Sequence, residues 1–396
     1  MQKLNKNKRK IIGIGVIGMG WMGMAHSRSY RNVVERFPDL EVDPKLVACA
    51  DEVVERGQSA QDRFGFMYST QNWQRLISDD EIDVITVATP NSRHLEIVTS
   101  AVRAGKHVFC EKPVGRTPIE TQHMADLSSR AGIISGVGYN YRWSPMVQHA
   151  HQLIKEGKLG KVTHYRGRFF SSYASNPNSV LSWRFQKEKA GSGTLGDLMS
   201  HVIDMAHFLV GSIDSLVAHR ETFIRERPLA VPGVGTHFTV RDDGPKGDVT
   251  NEDYVSTLVQ FENGAQGTLE GCRAIVGPKC EMAFEVNGTK GAIRWNFEKM
   301  NELEIYLPEE SSFHDGYVRL ISDASYPFHA AFNPAAATGL GYDDLKLIEA
   351  YHFLKAIQTG QPNNPSFRQA VTVAQVQSAI QSSWDNNSWQ SVAKIN

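Results

Sequence analysis

"GVIGMGWMGMAHS", residues 15–27, follows the basic stretch "KNKRK", and its reading decides the fold. A charged start, an apolar run and small residues are the ingredients of a secretion signal. Glycines at 18, 20 and 23 are equally those of a phosphate-binding turn. Five glycines lie between Gly13 and Gly23, which makes the run a poor helix. It also flows directly into "AHSRSYRNVVERF", an amphipathic helix. Taken as strand, turn and helix, every glycine gains a use. "IIGIGVIG" forms a buried strand, Gly18 permits the tight turn, Gly20 lets the backbone approach a pyrophosphate, and Gly23 lets the helix pack on the strand. The helix start adds free N–H groups and a partial positive charge. The expectation is a cytoplasmic protein with a dinucleotide-binding domain over 11–138, behind a solvated tail over 1–10.

The sequence around the turn agrees. "KLVACAD" is a short buried strand ending in Asp51, where an acid holds the adenosine ribose. Asp51 lies farther from the glycines than the usual ~20 residues, and the excess is assigned to a "FPDLEVDP" insertion. Asp43 is nearer to that spacing but stands at the wrong end of the strand. Helices are expected in "EVVERGQSAQDRFG", "TQNWQRLISD", "NSRHLEIVTSAVRAG" and "PIETQHMADLSSRAG", and strands in "DVITVATP", "KHVFCEKP" and "IISGVGY". Such alternation predicts a doubly wound parallel sheet. Ligands of such sheets lie beyond the carboxyl ends of the strands. Those ends carry Gly18 to Gly23, Asp51, Thr89, Pro90, Asn91, Glu111 and Lys112, with His94 close by. Trp21 and Met22 belong to the turn itself. NAD is expected over NADP, because Asp51 and Glu52 put two carboxylates where a 2′-phosphate would sit.

Composition sets outer bounds. With 396 residues the chain is right for two domains. A net charge of −1 leaves no basic surplus for a nucleic-acid backbone. No apolar stretch reaches the ~20 residues of a membrane span. The four cysteines form no C-x-x-C pair, and no metal site is expected.

Chemistry concentrates in two stretches. In "CEKP", Pro113 fixes the chain direction and sets Lys112 at the rim of the ligand crevice. In "GSGTLGDLMSHVIDMAHFLVG", residues 191–211, a continuous helix is expected from Thr194 to Val210. Asp197 and His201 are four apart on one face, so the carboxylate can hold the imidazole's tautomer. Asp204 and His207 are further candidates. Such groups suit removal of a hydride from an alcohol. The hydroxyl pKa is near ~16, close to that of water. A base of pKa ~7 faces a deficit of roughly 12 kcal/mol if the proton leaves first. The proton must therefore move with, or after, the hydride.

Gly18-Met19-Gly20-Trp21-Met22-Gly23, Glu111-Lys112-Pro113 and Asp197-x-x-x-His201 together resemble the glucose–fructose oxidoreductase / inositol dehydrogenase (Gfo/Idh/MocA) family. "PNSVLSWRFQKEKAGSGTLGD" is similar to its glycoside-oxidising members, the levoglucosan dehydrogenases among them. The resemblance implies a Rossmann domain followed by an α/β domain with a large, mostly antiparallel open sheet, here 139–396. It implies NAD, a sugar-like substrate, and Lys112, Asp197 and His201 as the catalytic group. Which of lysine and histidine takes the proton stays open. Asn140, Tyr141, Arg142, Trp183, Arg184 and Tyr342 are expected to join Lys112, Asp197 and His201 around the substrate. They offer aromatic faces and polar donors that suit an uncharged sugar ring.

In the second half, "KVTHYRGRFF", "YVSTLVQFENGAQGTLEGC", "EMAFEVNGTKGAIRWNF" and "ELEIYLP" read as strands, and "DDLKLIEAYHFLKAIQTG" and "RQAVTVAQVQSAIQSSW" as helices. Helices on one face leave the other needing burial, which predicts a homo-oligomer, a tetramer being favoured. "RERPLAVPGVGTHFTVRDDGPKGDVTNED" reads as a long loop, either a lid or an oligomer contact. The leading expectation is an NAD-dependent dehydrogenase oxidising a ring hydroxyl, at C3, of a sugar or glycoside. Alternatives are a cyclitol dehydrogenase, an enzyme that recycles its own NAD, and a non-catalytic NAD-binding sensor.

Overall fold

The computed structural model describes residues 9–231, 238–308 and 315–394. β1 (Lys10–Ile17) is buried at every position from Ile12 onward. A strand buried on both faces belongs in a parallel sheet with helices on either side. The chain then runs α1 (Trp21–Arg36), β2 (Val42–Ala50), α2 (Val54–Phe64), β3 (Tyr68–Thr70), α3 (Gln74–Ile77), β4 (Val84–Val87), α4 (His94–Arg103), β5 (His107–Cys110), α5 (Pro118–Arg130) and β6 (Ser135–Val137). The six strands are parallel, in the order β3-β2-β1-β4-β5-β6. The order reverses between β1 and β4, so a crevice opens beyond their carboxyl ends.

Several local expectations change. Of the expected tail, 1–8 lies outside the described residues, while the Arg9 guanidinium already donates to the Leu40 carbonyl at 2.9 Å and Lys10 opens β1. β2 starts at Val42, because Val42 to Pro44 pair with Lys10 to Ile12. Pro44 is tolerated there because β3 pairs only with Ala48 to Ala50 and leaves its other edge free. "TQNWQRLISD" makes only the single turn α3. Its acids close the turn, Asp79 accepting from the Glu81 N–H at 2.9 Å.

The second half runs α6 (Pro145–Lys155), β7 (Val162–Ser171), α7 (Lys187–Ala190), α8 (Thr194–Asp197), α9 (Met199–Leu209), β8 (Ile213–Glu221), β9 (Glu226–Pro228), β10 (Lys246–Asp248), β11 (Tyr254–Phe261), β12 (Gln266–Cys272), β13 (Cys280–Gly288), β14 (Ala292–Asn296), β15 (Glu302–Tyr306), β16 (Val318–Ile321), α10 (Tyr342–Thr359), α11 (Phe367–Asn386) and β17 (Gln390–Ser391). Nine of these strands form one sheet, β16-β15-β14-β13-β7-β12-β11-β8-β17, parallel only between β7 and β12. α9 covers one face, meeting β7 at Gly167 through Val202. The opposite face is more polar than expected: Arg168 pairs with Glu281 at 2.7 Å and Arg166 with Glu285 at 3.4 Å. Of the long Pro/Gly segment, 232–237 lies outside the described residues, and the rest holds a two-stranded ribbon, β9 with β10. The ribbon is stapled down by the Leu181 N–H to the Pro228 carbonyl at 2.7 Å.

α10 and α11 return to the first sheet, α10 against α1 and α11 against α5. Under this seam lies a buried charge cluster. Lys346 on α10 donates to Glu111 at 2.7 Å and to Glu349 at 3.0 Å, and Glu111 also meets His26 at 2.8 Å. Burial pushes the Glu349 carboxyl up to about 8. Burial would raise Glu111 too, but Lys346 and His26 hold it well below the carboxylate range. The two carboxyls are thus pushed in opposite directions around the one ammonium.

Burial also holds His26, His94, His107, His149, His151, His201, His207 and His352 below the ordinary histidine value. Below about pH 6.5 the unfolded chain takes up protons that these folded imidazoles refuse. Their stabilising contribution is whole above that pH and is lost as pH falls through the folded values, about 4 for His207 and His352. The raised carboxyls Asp204, Glu252, Asp344 and Glu349 act in the opposite sense but are fewer. Urea midpoints measured between pH 7.5 and 5 are expected to fall steadily. A flat or rising midpoint would contradict the assignment of neutral buried imidazoles.

Candidate active site

The Gly18–Gly23 turn is closed by contacts that only glycine permits. Gly18 has φ +93°, and a methyl there would lie 2.6 Å from the Ala88 carbonyl oxygen. A methyl on Gly23 would lie 1.9 Å from the Gly18 carbonyl oxygen, so α1 packs directly on the turn. Beside Gly20 the space is open, and no side chain caps α1. That leaves the first N–H groups of the helix facing a free volume of the kind a pyrophosphate fills. Asp51 follows β2 and locks the turn, accepting from the Met19 N–H at 2.7 Å and the Val53 N–H at 2.9 Å. A Gly23→Ala variant is expected to bind NADH at least about ten-fold more weakly, because the helix must shift by more than the turn can absorb. Fluorescence titration of NADH measures it, and unchanged affinity would contradict the packing argument.

Gly18, Gly20, Trp21, Met22, Asp51, Thr89, Pro90, Asn91, Glu111 and Lys112 all line one cavity of about 1740 Å³. Trp21 stacks on Tyr342 of α10 with centroids 5.2 Å apart, and the Tyr342 hydroxyl reaches the Met22 sulfur at 3.5 Å. One expectation needs correction here. His94 is fully buried behind the wall, its ring nitrogens 3.0 Å from the carbonyls of Thr89 and Pro113. It ties the ends of two strand loops together rather than facing a ligand. The Glu111 carboxylate is likewise committed, to Lys346 and His26.

The same cavity reaches Asp197, His201, Asn140, Tyr141, Trp183, Arg184 and Tyr342. Lys112 Nζ donates to the Asp197 carbonyl at 2.7 Å and to its carboxylate at 2.9 Å. The Tyr173 hydroxyl donates to the other carboxylate oxygen at 2.8 Å. Burial would raise the Asp197 carboxyl, but the charges of Lys112 and Arg184 keep it far below the usual range. Asp197 therefore holds the lysine and not the histidine, contrary to the expected Asp197–His201 pairing. The expected continuous helix is also broken, into α8 and α9 at Leu198. Lys112 takes the Asp197 carbonyl, and the His201 N–H bonds Leu198 instead at 3.1 Å.

His201 is walled by Tyr141, Phe169 and Tyr139, with ring centroids 4.8, 6.0 and 6.1 Å away. Burial, then the charges of Lys112 and Lys346, hold its imidazole well below the ordinary value. Its Nδ1 is buried without a hydrogen-bond partner, and so is Asn140 Nδ2. The Arg184 guanidinium lies 4.4 Å over the Trp183 ring. Arg142 is the clear departure from expectation. Its guanidinium is buried away from the cavity, forked on Asp204 at 2.5 and 2.6 Å. Asp204 is consumed by that pair, and His207 meets Thr372 at 3.4 Å. Tyr173 was not anticipated, because a single tyrosine in "SSYASNP" carries no periodic or motif signal.

Comparisons with known proteins place both domains in a family. Residues 12–139 match the oxidoreductase family with an NAD-binding Rossmann fold, and residues 147–294 match the GFO/IDH/MocA C-terminal domain. A levoglucosan dehydrogenase of Pseudarthrobacter phenanthrenivorans is 40% identical over 385 residues, 97% of this chain and 99% of its own. The scyllo-inositol 2-dehydrogenase (NAD(+)) of Bacillus subtilis is 25% identical over 347 residues, 87% of this chain and 86% of its own. A solved levoglucosan dehydrogenase in complex with NADH and levoglucosan superposes with a TM-score of 0.91 at 38% identity, covering 97% of this chain and all of that one. Among the described residues no helix is long and apolar enough to cross a membrane. With the glycine turn, the lysine held by Asp197 and the two matched domains in one chain, this protein belongs to the Gfo/Idh/MocA family of NAD-binding oxidoreductases.

Proposed function

We propose that this protein oxidises a secondary ring hydroxyl, at C3, of an uncharged pyranose sugar or glycoside, giving the keto-sugar. The observation that carries it is the Lys112–Asp197–Tyr173 cluster beside a His201 whose Nδ1 has no hydrogen-bond partner, in the cavity that also holds the glycine turn. NAD, when bound at that turn, supplies the hydride acceptor. Lys112 has three N–H donors, two of them spent on Asp197. The third is free to hold the substrate oxygen and to stabilise it as the carbonyl forms. His201 accepts the hydroxyl proton. A weakly basic imidazole is sufficient, because the hydroxyl becomes strongly acidic as the hydride departs. Asn140 Nδ2, Trp183 and Arg184 supply a donor, an aromatic face and a guanidinium for the rest of the ring. The likeness to levoglucosan dehydrogenase supports the sugar class.

The test incubates enzyme and NAD with levoglucosan, methyl β-glucoside, glucose and myo-inositol, follows NADH, and locates the new carbonyl by NMR. A C3 ketone on a pyranoside is expected. Oxidation at the anomeric carbon, or turnover of myo-inositol alone, would overturn the reading, and product without net NADH would indicate an enzyme that recycles its cofactor. Asp51 is proposed to hold the ribose and exclude NADP, and equal affinity for the two nucleotides would remove it from that role. We also propose a cytoplasmic location and a homo-oligomer, a tetramer, the latter supported by half-exposed Leu258 on the face of the large sheet away from α9. Sedimentation at the 44.1 kDa monomer mass would end that proposal.

A further inference from the structure

The cavity of about 1740 Å³ runs from the glycine turn past Lys112 and His201 to a third stretch of wall. Its wall beyond Asp197 changes character. Val180, Leu181, Leu229, Val231 and Phe238 line that end, and Leu229, Val231 and Phe238 are 41%, 44% and 55% exposed. Apolar side chains half open to water and gathered on one wall of a ligand cavity mark a binding surface rather than chance exposure.

The base of the wall is hydrogen-bonded into the fold. The Leu229 N–H bonds the Pro245 carbonyl at 2.9 Å, and the Val180 N–H bonds the Thr239 carbonyl at 2.9 Å. Arg227, fully buried, donates to the carbonyls of Ala174 and Asn176 at 2.6 and 2.8 Å. Behind Leu181 sits a small separate core of Ala174, Phe185 and Val249. Phe185 in turn lies under the guanidinium groups of Arg227 and Arg273 at 4.2 and 4.6 Å.

One residue connects this wall to the reacting end. Tyr173 donates to Asp197 at 2.8 Å, and its ring meets Phe238 edge-on at 6.5 Å. A molecule held at Lys112 and extended past Tyr173 therefore lays its next group against Leu229, Val231 and Phe238.

We propose that this wall is a second subsite, taking an apolar or aromatic aglycone attached to the sugar, so that the preferred substrates are aryl or alkyl glycosides rather than free sugars. The proposal rests on the sugar-oxidising reading above and narrows its substrate class. A second copy of the chain is the competing occupant. It is disfavoured because these side chains face the cavity that holds Lys112 and His201.

The experiment compares phenyl and methyl glucopyranosides, both anomers, in two measurements on the full-length enzyme. One is steady-state NADH formation, and the other is calorimetric binding to the NADH-loaded enzyme. The better phenyl glucoside is expected to bind about ten- to a hundred-fold more tightly than its methyl counterpart, the advantage that burial of one phenyl ring supplies. Val231→Ser and Phe238→Ser, both at exposed positions, should each remove most of that advantage. Equal affinity for phenyl and methyl glucosides, or equal losses on both in the variants, would overturn the subsite. So would a change of sedimentation coefficient in Phe238→Ser, which would assign the wall to an interface between copies. Tight phenyl glucoside binding without oxidation of any glycoside would support the subsite while overturning the proposed reaction.

Discussion

Lys112→Ala and His201→Ala each lower turnover by about a hundred- to ten-thousand-fold and leave NADH affinity within about three-fold of the parent. The lysine loss is the larger of the two. It removes the donor that holds the substrate oxygen, and it strands the Asp197 carboxylate, buried beside Tyr173 with its main counter-charge gone. His201→Ala removes the proton acceptor but leaves the Lys112–Asp197–Tyr173 cluster intact. The glycine turn and Asp51 are untouched by either change, so the cofactor titration serves as an internal control. Asp197→Asn is expected to fall between parent and Lys112→Ala, because the amide still accepts from Lys112 but no longer balances its charge. Steady-state kinetics over pH 6 to 9 with a turned-over glycoside measures all three. A Lys112 or His201 variant with near-parental turnover would remove that residue from the mechanism.

Lys346→Met destabilises the fold by about 3–5 kcal/mol, the usual consequence of stripping one partner from a buried ion pair. Lys346 has no exposed surface, and without it Glu111 keeps only His26 while facing the same low-dielectric surroundings. Urea unfolding followed by tryptophan fluorescence reads the loss as a lower midpoint. Lys346→Met combined with Glu111→Gln is expected to recover a large part, because the stranded charge is then gone as well. An additive double variant would show that the two residues do not act as a pair. The cluster also spans the seam between α1, the loop after β5 and α10, so its removal loosens the elements that carry His26, Glu111 and Tyr342.

Much of the N-terminal half was legible because its signals are local. Glycine spacing, apolar runs and strand-end polar residues act over a few neighbours, and the six-stranded sheet follows from their alternation. Gly18 and Gly23 have the uses their spacing implied, since the turn needs a positive φ and a contact too close for any Cβ. The second sheet was legible as strands but not in its pairing. That β7 lies between β12 and β13 depends on contacts across more than a hundred residues. The short β3 escaped because three residues carry no period, and α3 was expected longer than the single turn it makes.

The site was legible by residue type and only partly by relation. Lys112, Asp197 and His201 are named by motif and do line one cavity. Spacing along a helix suggested that Asp197 serves His201, yet the carboxylate bonds Lys112, 85 residues away, and the same lysine takes the Asp197 carbonyl where the helix is broken. Arg142 and His94 sit beside site residues in the chain, and each finds a buried partner that takes it out of the cavity, Asp204 for one and backbone carbonyls for the other. Tyr173 enters by the opposite route, brought to Asp197 by the path of the chain after β7. By itself the sequence determined the dinucleotide turn, the parallel sheet and the set of chemical groups, because backbone conformation and side-chain alternation are settled between neighbours. The tertiary structure alone decided which charge meets which, because the energy of a buried polar group depends on the partner that folding brings to it from elsewhere in the chain.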